Sequence, residues 1–82
     1  KVQVRYFASI REAIGQGSEP VQTQATTVGM LRDELIARGG AHASSLARGK
    51  AVRAALDQAL CDDTAMLHEG CEVAFFPPVT GG

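Results

Sequence analysis

Only one stretch of this chain carries a helical apolar period of any length, and that limits the folds open to it. Thr27 can cap a helix whose apolar positions Val28, Leu31, Leu35 and Ile36 follow helical spacing. Arg32 and Asp33 are then turned outward, Arg38 lies in the last turn, and Gly39-Gly40 act as the stop. Short strand patterns surround it. Val2, Val4 and Tyr6 alternate with Gln3, Arg5 and Phe7, the period of a strand with one buried face. Ser9 and Glu12 fit a capping box, and Ile10, Ala13 and Ile14 give a brief helix that Gly15 and Gly17 end. Residues 20–23 read as a return strand at a sheet edge, because they include Pro20. Residues 41–49 are small and irregular, with a helical turn around Leu46. Residues 52–56 and 59–61 flank Asp57-Gln58 like hairpin arms. Residues 62–70 form a polar connection, and Glu72–Phe76 is a last strand stopped by Pro77-Pro78. The order strand, strand, helix, strand, strand, strand predicts an α+β fold: a mixed sheet of about five strands with one main helix on one face.

Size and charge narrow the function classes. With 82 residues, 45% of them hydrophobic, one core can form but not two. Residues 1–76 are read as the domain and 77–82 as an extended tail. Eight basic against nine acidic side chains leave a net charge of −1, so no general field draws nucleic acid or anionic lipid. No apolar run approaches the roughly 20 residues needed to span a bilayer. No secretory signal precedes the first strand pattern, and Cys61 and Cys71 are the only cysteines, so a cytoplasmic protein with reduced thiols is expected. Neither cysteine has ligand spacing to His42 or His68, which argues against zinc and for packing or surface thiols.

The end of the sequence carries the chemistry. Pro77 and Pro78 lack amide donors and fix φ near about −65°, so ladder pairing ends after Phe76 and a stiff arm begins. The four residues Val79, Thr80, Gly81 and Gly82, at roughly 3.3 Å each, reach about 13 Å beyond it. Gly81 and Gly82 carry no Cβ, so the last carbonyl can thread a narrow channel and meet a nucleophile from either side. A bare Gly-Gly end is uninformative by itself. Here a strand feeds the stiffened arm directly, with no polar spacer. A carboxylate is a poor electrophile, so acyl chemistry requires activation by a separate ATP-using enzyme. This chain lacks a phosphate-cradling loop: Gly49-Lys50 is preceded by Ser44 and followed by Ala51 where that motif needs glycine and a hydroxyl residue.

From Glu72 to Gly82 the sequence, EVAFFPPVTGG, resembles the tail of the small, sulfur-carrying subunits of molybdopterin synthases. The resemblance extends to Tyr6-Phe7-Ala8 with Arg11-Glu12, to Thr27-Val28 with Leu31, and to residues 54–60. It implies a ubiquitin-like β-grasp fold, whose element order is the one read above. It implies that Gly82 is adenylated by an E1-like enzyme using ATP, then converted to a thiocarboxylate by a sulfur donor such as a cysteine desulfurase or rhodanese. The tail would then enter the large synthase subunit, within a heterotetramer, and pass sulfur to cyclic pyranopterin monophosphate to build the molybdopterin dithiolene. No metal or cofactor is implied on this chain. Two positions depart from the family pattern, Asp57 where asparagine is frequent and Cys71 where an acidic residue is.

Strand alternation adds a partner surface. Val73 and Phe75 share one face of the last strand and Ala74 and Phe76 the other. With one helix covering the sheet, Val73 and Phe75 point inward, leaving Phe76 and, on the first strand, Phe7 on the open face. Leu60 joins them if its strand faces the same way. Exposed apolar residues of this kind mark an interface, and the resemblance places the large-subunit contact there, continued by Pro77, Pro78, Val79 and Thr80. Arg11 is read as a rim ion-pair partner, with a solvated loop arginine as the alternative. Three other functions stay open: a sulfur carrier for thiazole synthesis, which typically lacks the Phe-Phe-Pro-Pro lead-in; a ubiquitin-like modifier joined to lysines through Gly82; and a binding module whose tail is incidental.

Overall fold

The first strand, β1 (Val2–Tyr6), buries Val2, Val4 and Tyr6 and exposes Gln3 and Arg5, as its alternation requires. A computed structural model describes residues 1–78 of the chain. After β1 come α1 (Ala8–Ile14), β2 (Ser18–Val21), α2 (Val28–Ile36), α3 (Gly40–Leu46), β3 (Arg53–Leu56), β4 (Ala59–Cys61) and β5 (Glu72–Phe76). The strands form one mixed sheet in the order β2-β1-β5-β3-β4. β1 and β5 run parallel, with Val4 opposite Val73 and Tyr6 opposite Phe75, while the other three pairs are antiparallel. Directly paired residues point to the same side of a sheet. The inner side therefore gathers Val4, Tyr6, Val73, Phe75 and Ala54, against which Ile10, Val28, Leu31, Leu35 and Leu46 of the three helices pack. This is the α+β arrangement expected, with the helices on one face.

Local chemistry sets the element ends. Thr27 caps α2 as its sequence predicts, its side chain accepting from the amide of Met30. Gly15 ends α1 in the left-handed conformation at φ 89°, where a side chain would be strained. Asp57 and Gln58 both have positive φ, 49° and 71°, the two-residue turn whose twist suits a hairpin. Asp57 also explains its own presence. Its carboxylate accepts from the Glu72 amide at 3.0 Å and contacts His68 Nε2 at 2.8 Å, so the β3–β4 turn is tied to the start of β5. The Glu72 amide, then His68, hold the Asp57 carboxyl below its usual range.

Four sequence expectations are corrected. The helix after β1 begins at Ala8 rather than behind a Ser9 capping box: Phe7 is the capping residue, and no side chain caps the helix. The Phe7 carbonyl instead accepts from the Ile10 and Arg11 amides. The return strand lies at Ser18–Val21, two residues earlier than expected, because it must pair with β1. Gly39 turns the chain at φ 78°, but Gly40 starts a further helix, so residues 40–46 are regular where small, irregular structure was expected. Arg32 is the reason this works. Far from pointing outward, it is 6% exposed, and its guanidinium donates to the carbonyls of Leu46, Ala47 and Lys50. It thereby supplies donors to the last residue of α3, to its capping residue Ala47 and to the turn that follows.

One polar cluster fastens the edge strand to the helices. Glu19 on β2 accepts from the Tyr6 hydroxyl at 2.7 Å and from Arg38 at 2.7 Å, and lies 2.9 Å from His42 Nε2. Burial pushes the Glu19 carboxyl up, but the bonds from Arg38, His42 and Tyr6 outweigh it and hold it at about 2, below the ordinary 4.5. Burial, and then the bond to Glu19, pushes the Tyr6 phenol well above its usual range. Because the folded value is depressed, the stabilisation from Glu19 is complete above the unfolded value and is lost as pH falls toward about 2. Replacing Glu19 by alanine should cost about 2 kcal/mol, since it leaves the buried Tyr6 hydroxyl without its acceptor and Arg38 without its carboxylate. In thermal melts, stability should decline as pH falls from about 4.5 to about 2 in the wild-type chain, and much less in Glu19→Gln.

Candidate functional site

The helix-free side of the sheet is built by register. Arg5 lies opposite Ala74, Ala74 opposite Ala55, and Ala55 opposite Leu60, one row across β1, β5, β3 and β4. Its two central members are alanines, so the middle of the face is low. Phe7 and Phe76 rise beside them and, with Ala8 and Pro77, complete an open groove of about 510 Å³. The main-chain geometry fixes Phe7 here, because its amide donates to the Phe75 carbonyl at 3.2 Å while its carbonyl starts α1.

Each expected site residue can now be placed. Phe7, at 39% exposure, and the half-buried Phe76 share the groove wall. Leu60 continues the face on edge strand β4 and is 68% exposed. Pro77 lines the groove directly after the strand ends, and Pro78 follows it half-buried. Arg11 goes elsewhere: its guanidinium lies over Gly17, where any Cβ would come within 3.2 Å of Arg11 Nε, and it does not line the groove. The expectations for Val79, Thr80, Gly81 and Gly82 fall outside the described residues.

The sequence reading missed the alanine floor and two charged residues in the groove, Arg5 and Glu72. Alternation already put Arg5 on the same side as Phe7, but only the parallel register shows what it faces. The Arg5 guanidinium stands 5.3 Å from the Phe7 ring centroid, and its Nη1 is 4.0 Å from Glu72 Oε1.

The cysteines take no part in this face. Cys71 is buried in the core at 1% exposure. Cys61 is half-buried, and burial, with the charges of Asp62 and Asp63, pushes its thiol up, away from the nucleophilic thiolate. Among the described residues no three His, Cys, Asp or Glu side chains could hold a metal ion, and no helix is long and apolar enough to cross a membrane.

A mixed five-stranded sheet grasping its helices on one side, with the last strand central and the tail leaving beside an apolar groove, defines a ubiquitin-like β-grasp domain. SAMP1 of Haloferax volcanii has this fold, matching 99% of the chain and 98% of its own length with a TM-score of 0.78 at 24% identity. The chain belongs to the ThiS family, whose model matches residues 4–82. A molybdopterin synthase sulfur carrier subunit of Escherichia coli is 41% identical over 81 residues, 99% of each chain. Subunit 1 and 2 of the molybdopterin-converting factor of Helicobacter pylori have been solved as a protein–protein complex. One chain of it is 26% identical with a TM-score of 0.69, over 99% of this chain and 97% of that one. The resemblance read from the tail is borne out by the family match, which runs through Gly82.

Filling the floor is the simplest perturbation of this site. Ala74 is only 7% exposed between β1 and β3, so Ala74→Phe should occupy the groove while leaving the inner face untouched. A fluorescent apolar probe that binds the wild-type chain should lose affinity for that variant; equal binding would show the groove is not the apolar site of this surface.

Proposed function

We propose that this chain is the sulfur carrier subunit of a molybdopterin synthase, working through the carboxylate of Gly82. The observation that carries the proposal is a family match reaching Gly82, on a chain whose strand β5 is followed at once by Pro77-Pro78, with Pro77 lining an apolar groove. The names of the Escherichia coli and Helicobacter pylori proteins support it.

In this reading an E1-like enzyme supplies the activation the chain lacks. The Gly82 carboxylate attacks the α-phosphorus of ATP and expels pyrophosphate, turning a charged, unreactive group into an acyl adenylate with AMP as leaving group. The terminal sulfur of a persulfide on a cysteine desulfurase or rhodanese-type donor then attacks the acyl carbon and displaces AMP. A thiol reduces the resulting acyl disulfide, leaving the donor in a disulfide with that thiol and a thiocarboxylate in which sulfur replaces one oxygen. Gly81 and Gly82 keep the acyl carbon open on both sides, and Val79 and Thr80 carry it away from the body. The groove lined by Phe7 and Phe76, continued by Leu60, docks the large subunit, while Pro77 and Pro78 direct the tail into it. There the thiocarboxylate gives its sulfur to cyclic pyranopterin monophosphate. The chain itself needs no metal and no cofactor in this scheme, and its thiols stay reduced in the cytoplasm. Arg11, beside Gly17 and outside the groove lining, is a rim ion-pair partner for the large subunit in this reading, with a solvated arginine as the alternative.

Two measurements test this. The intact mass of the chain, co-expressed with its activating system, should rise by about 16 Da, the difference between sulfur and oxygen; unmodified or lysine-linked chain alone would contradict it. Phe76→Ala should weaken binding to the large subunit by about 2 kcal/mol, roughly thirtyfold in Kd, with the melting curve nearly unchanged. Unaltered affinity would remove Phe76 from the interface.

A further inference from the structure

The open face is charged in a sense opposite to the chain. Of the side chains that register places on it, Arg5 and Arg53 are basic and Glu72 alone is acidic: Arg5 is opposite Ala74, Arg53 opposite Phe76, and Glu72 opposite Gln3. Two cations against one anion leave a local excess of one positive charge on a chain whose net charge is −1. Arg5 is the cation inside the groove. Its guanidinium lies over Phe7, 5.3 Å from the ring centroid, and its side chain keeps 44% of its exposure. Among the described residues its sole ionic contact is Glu72, and at 4.0 Å that gap is too long for a hydrogen bond. Glu72 is the less exposed of the two, at 28%, and its backbone is already tied to Asp57.

A partner that covers Phe7 and Phe76 must also cover Arg5, because all three line one groove. A guanidinium has five donors and no way to discharge them by losing its proton. Removing it from water with one long contact to Glu72 is costly unless the covering surface supplies acceptors. Planar, bidentate pairing with a carboxylate is the arrangement that suits it best.

We infer that Arg5 is a specificity determinant of the docking face, and that the large subunit carries a carboxylate that pairs with its guanidinium beside Phe7. The inference rests on the proposed function for the identity of the partner, and it adds a charged requirement that apolar complementarity alone does not impose. A surface that is apolar throughout would be rejected, since it would bury Arg5 unpaired.

The sign of one substitution decides the matter. Arg5→Met keeps an unbranched, flexible side chain and removes the charge, with Arg5→Gln as a parallel variant of different shape. Binding to the large subunit of the same organism is measured by titration calorimetry at low and high salt, with thermal melts of each variant. Loss of one partner of a covered charge pair predicts roughly thirtyfold weaker binding or more for both variants. Arg5→Glu should bind more weakly still, and Arg5→Lys should fall between wild type and Arg5→Met. The salt dependence of binding should shrink when the charge is gone. Unchanged or tighter binding by Arg5→Met and Arg5→Gln would overturn the assignment, because deleting an unmatched buried charge strengthens an interface. A wild-type chain that fails to bind the large subunit would instead contradict the function on which the inference rests.

Discussion

The parallel pairing of the first strand with the last is the constraint on which everything else in this domain depends. Parallel neighbours need a long crossover, and here the whole chain between Tyr6 and Glu72 serves as one. β2, β3, β4 and the three helices are consequently arranged around a β1–β5 centre. A last strand at the edge could fray; one held between β1 and β3 cannot be withdrawn without dismantling the sheet. The segment after Phe76 therefore starts from the most firmly held part of the molecule. The same pairing anchors Phe7 to the Phe75 carbonyl and brings it beside Phe76. The apolar groove and the origin of the tail are thus one piece of structure.

The two faces of the sheet divide the labour through side-chain size. Inward, Tyr6, Phe75, Leu31, Leu35 and Leu46 fill the core completely. Outward, Ala55 and Ala74 leave a hollow at the same strand positions where larger residues would have made a flat wall. Two polar clusters close the seams between elements. Glu19 holds β2 to Tyr6, Arg38 and His42, while Arg48 bridges Asp33 and Asp63 and also donates to the Gly29 carbonyl. Each of these seams joins elements distant in sequence, and each spares the helix-free face for contact with something else.

What could be read from the sequence was local in origin. The β1 alternation, the Thr27 cap, the Asp57-Gln58 turn and the stop at Pro77 depend on neighbours within a few residues, and all four stand in the structure. Arg32 could not be read this way. Its helical position looks solvent-facing until the end of α3 and the turn after it fold back and offer three carbonyls, the nearest of them fourteen residues on. α3 itself was hidden for the related reason that its sequence, GAHASSL, has little helical character and is held by Leu46 and Arg32 rather than by propensity. The site was half legible: Phe7 and Phe76 followed from alternation, but the alanine floor and the Arg5–Glu72 pair required the register of three strands at once. That Arg11 folds over Gly17 could not be read locally either, because the contact depends on the turn that follows α1.

The central claim is that Gly82 delivers sulfur and that the folded body exists to present it. It is tested most directly by loading the chain with radioactive sulfur at Gly82, mixing it with the large subunit and cyclic pyranopterin monophosphate, and following the label. The account predicts that the label leaves the protein and appears in the pterin product, and that the chain returns to its unmodified mass. Label that stays on the chain, or that is released only as free sulfide while no dithiolene forms, would contradict it.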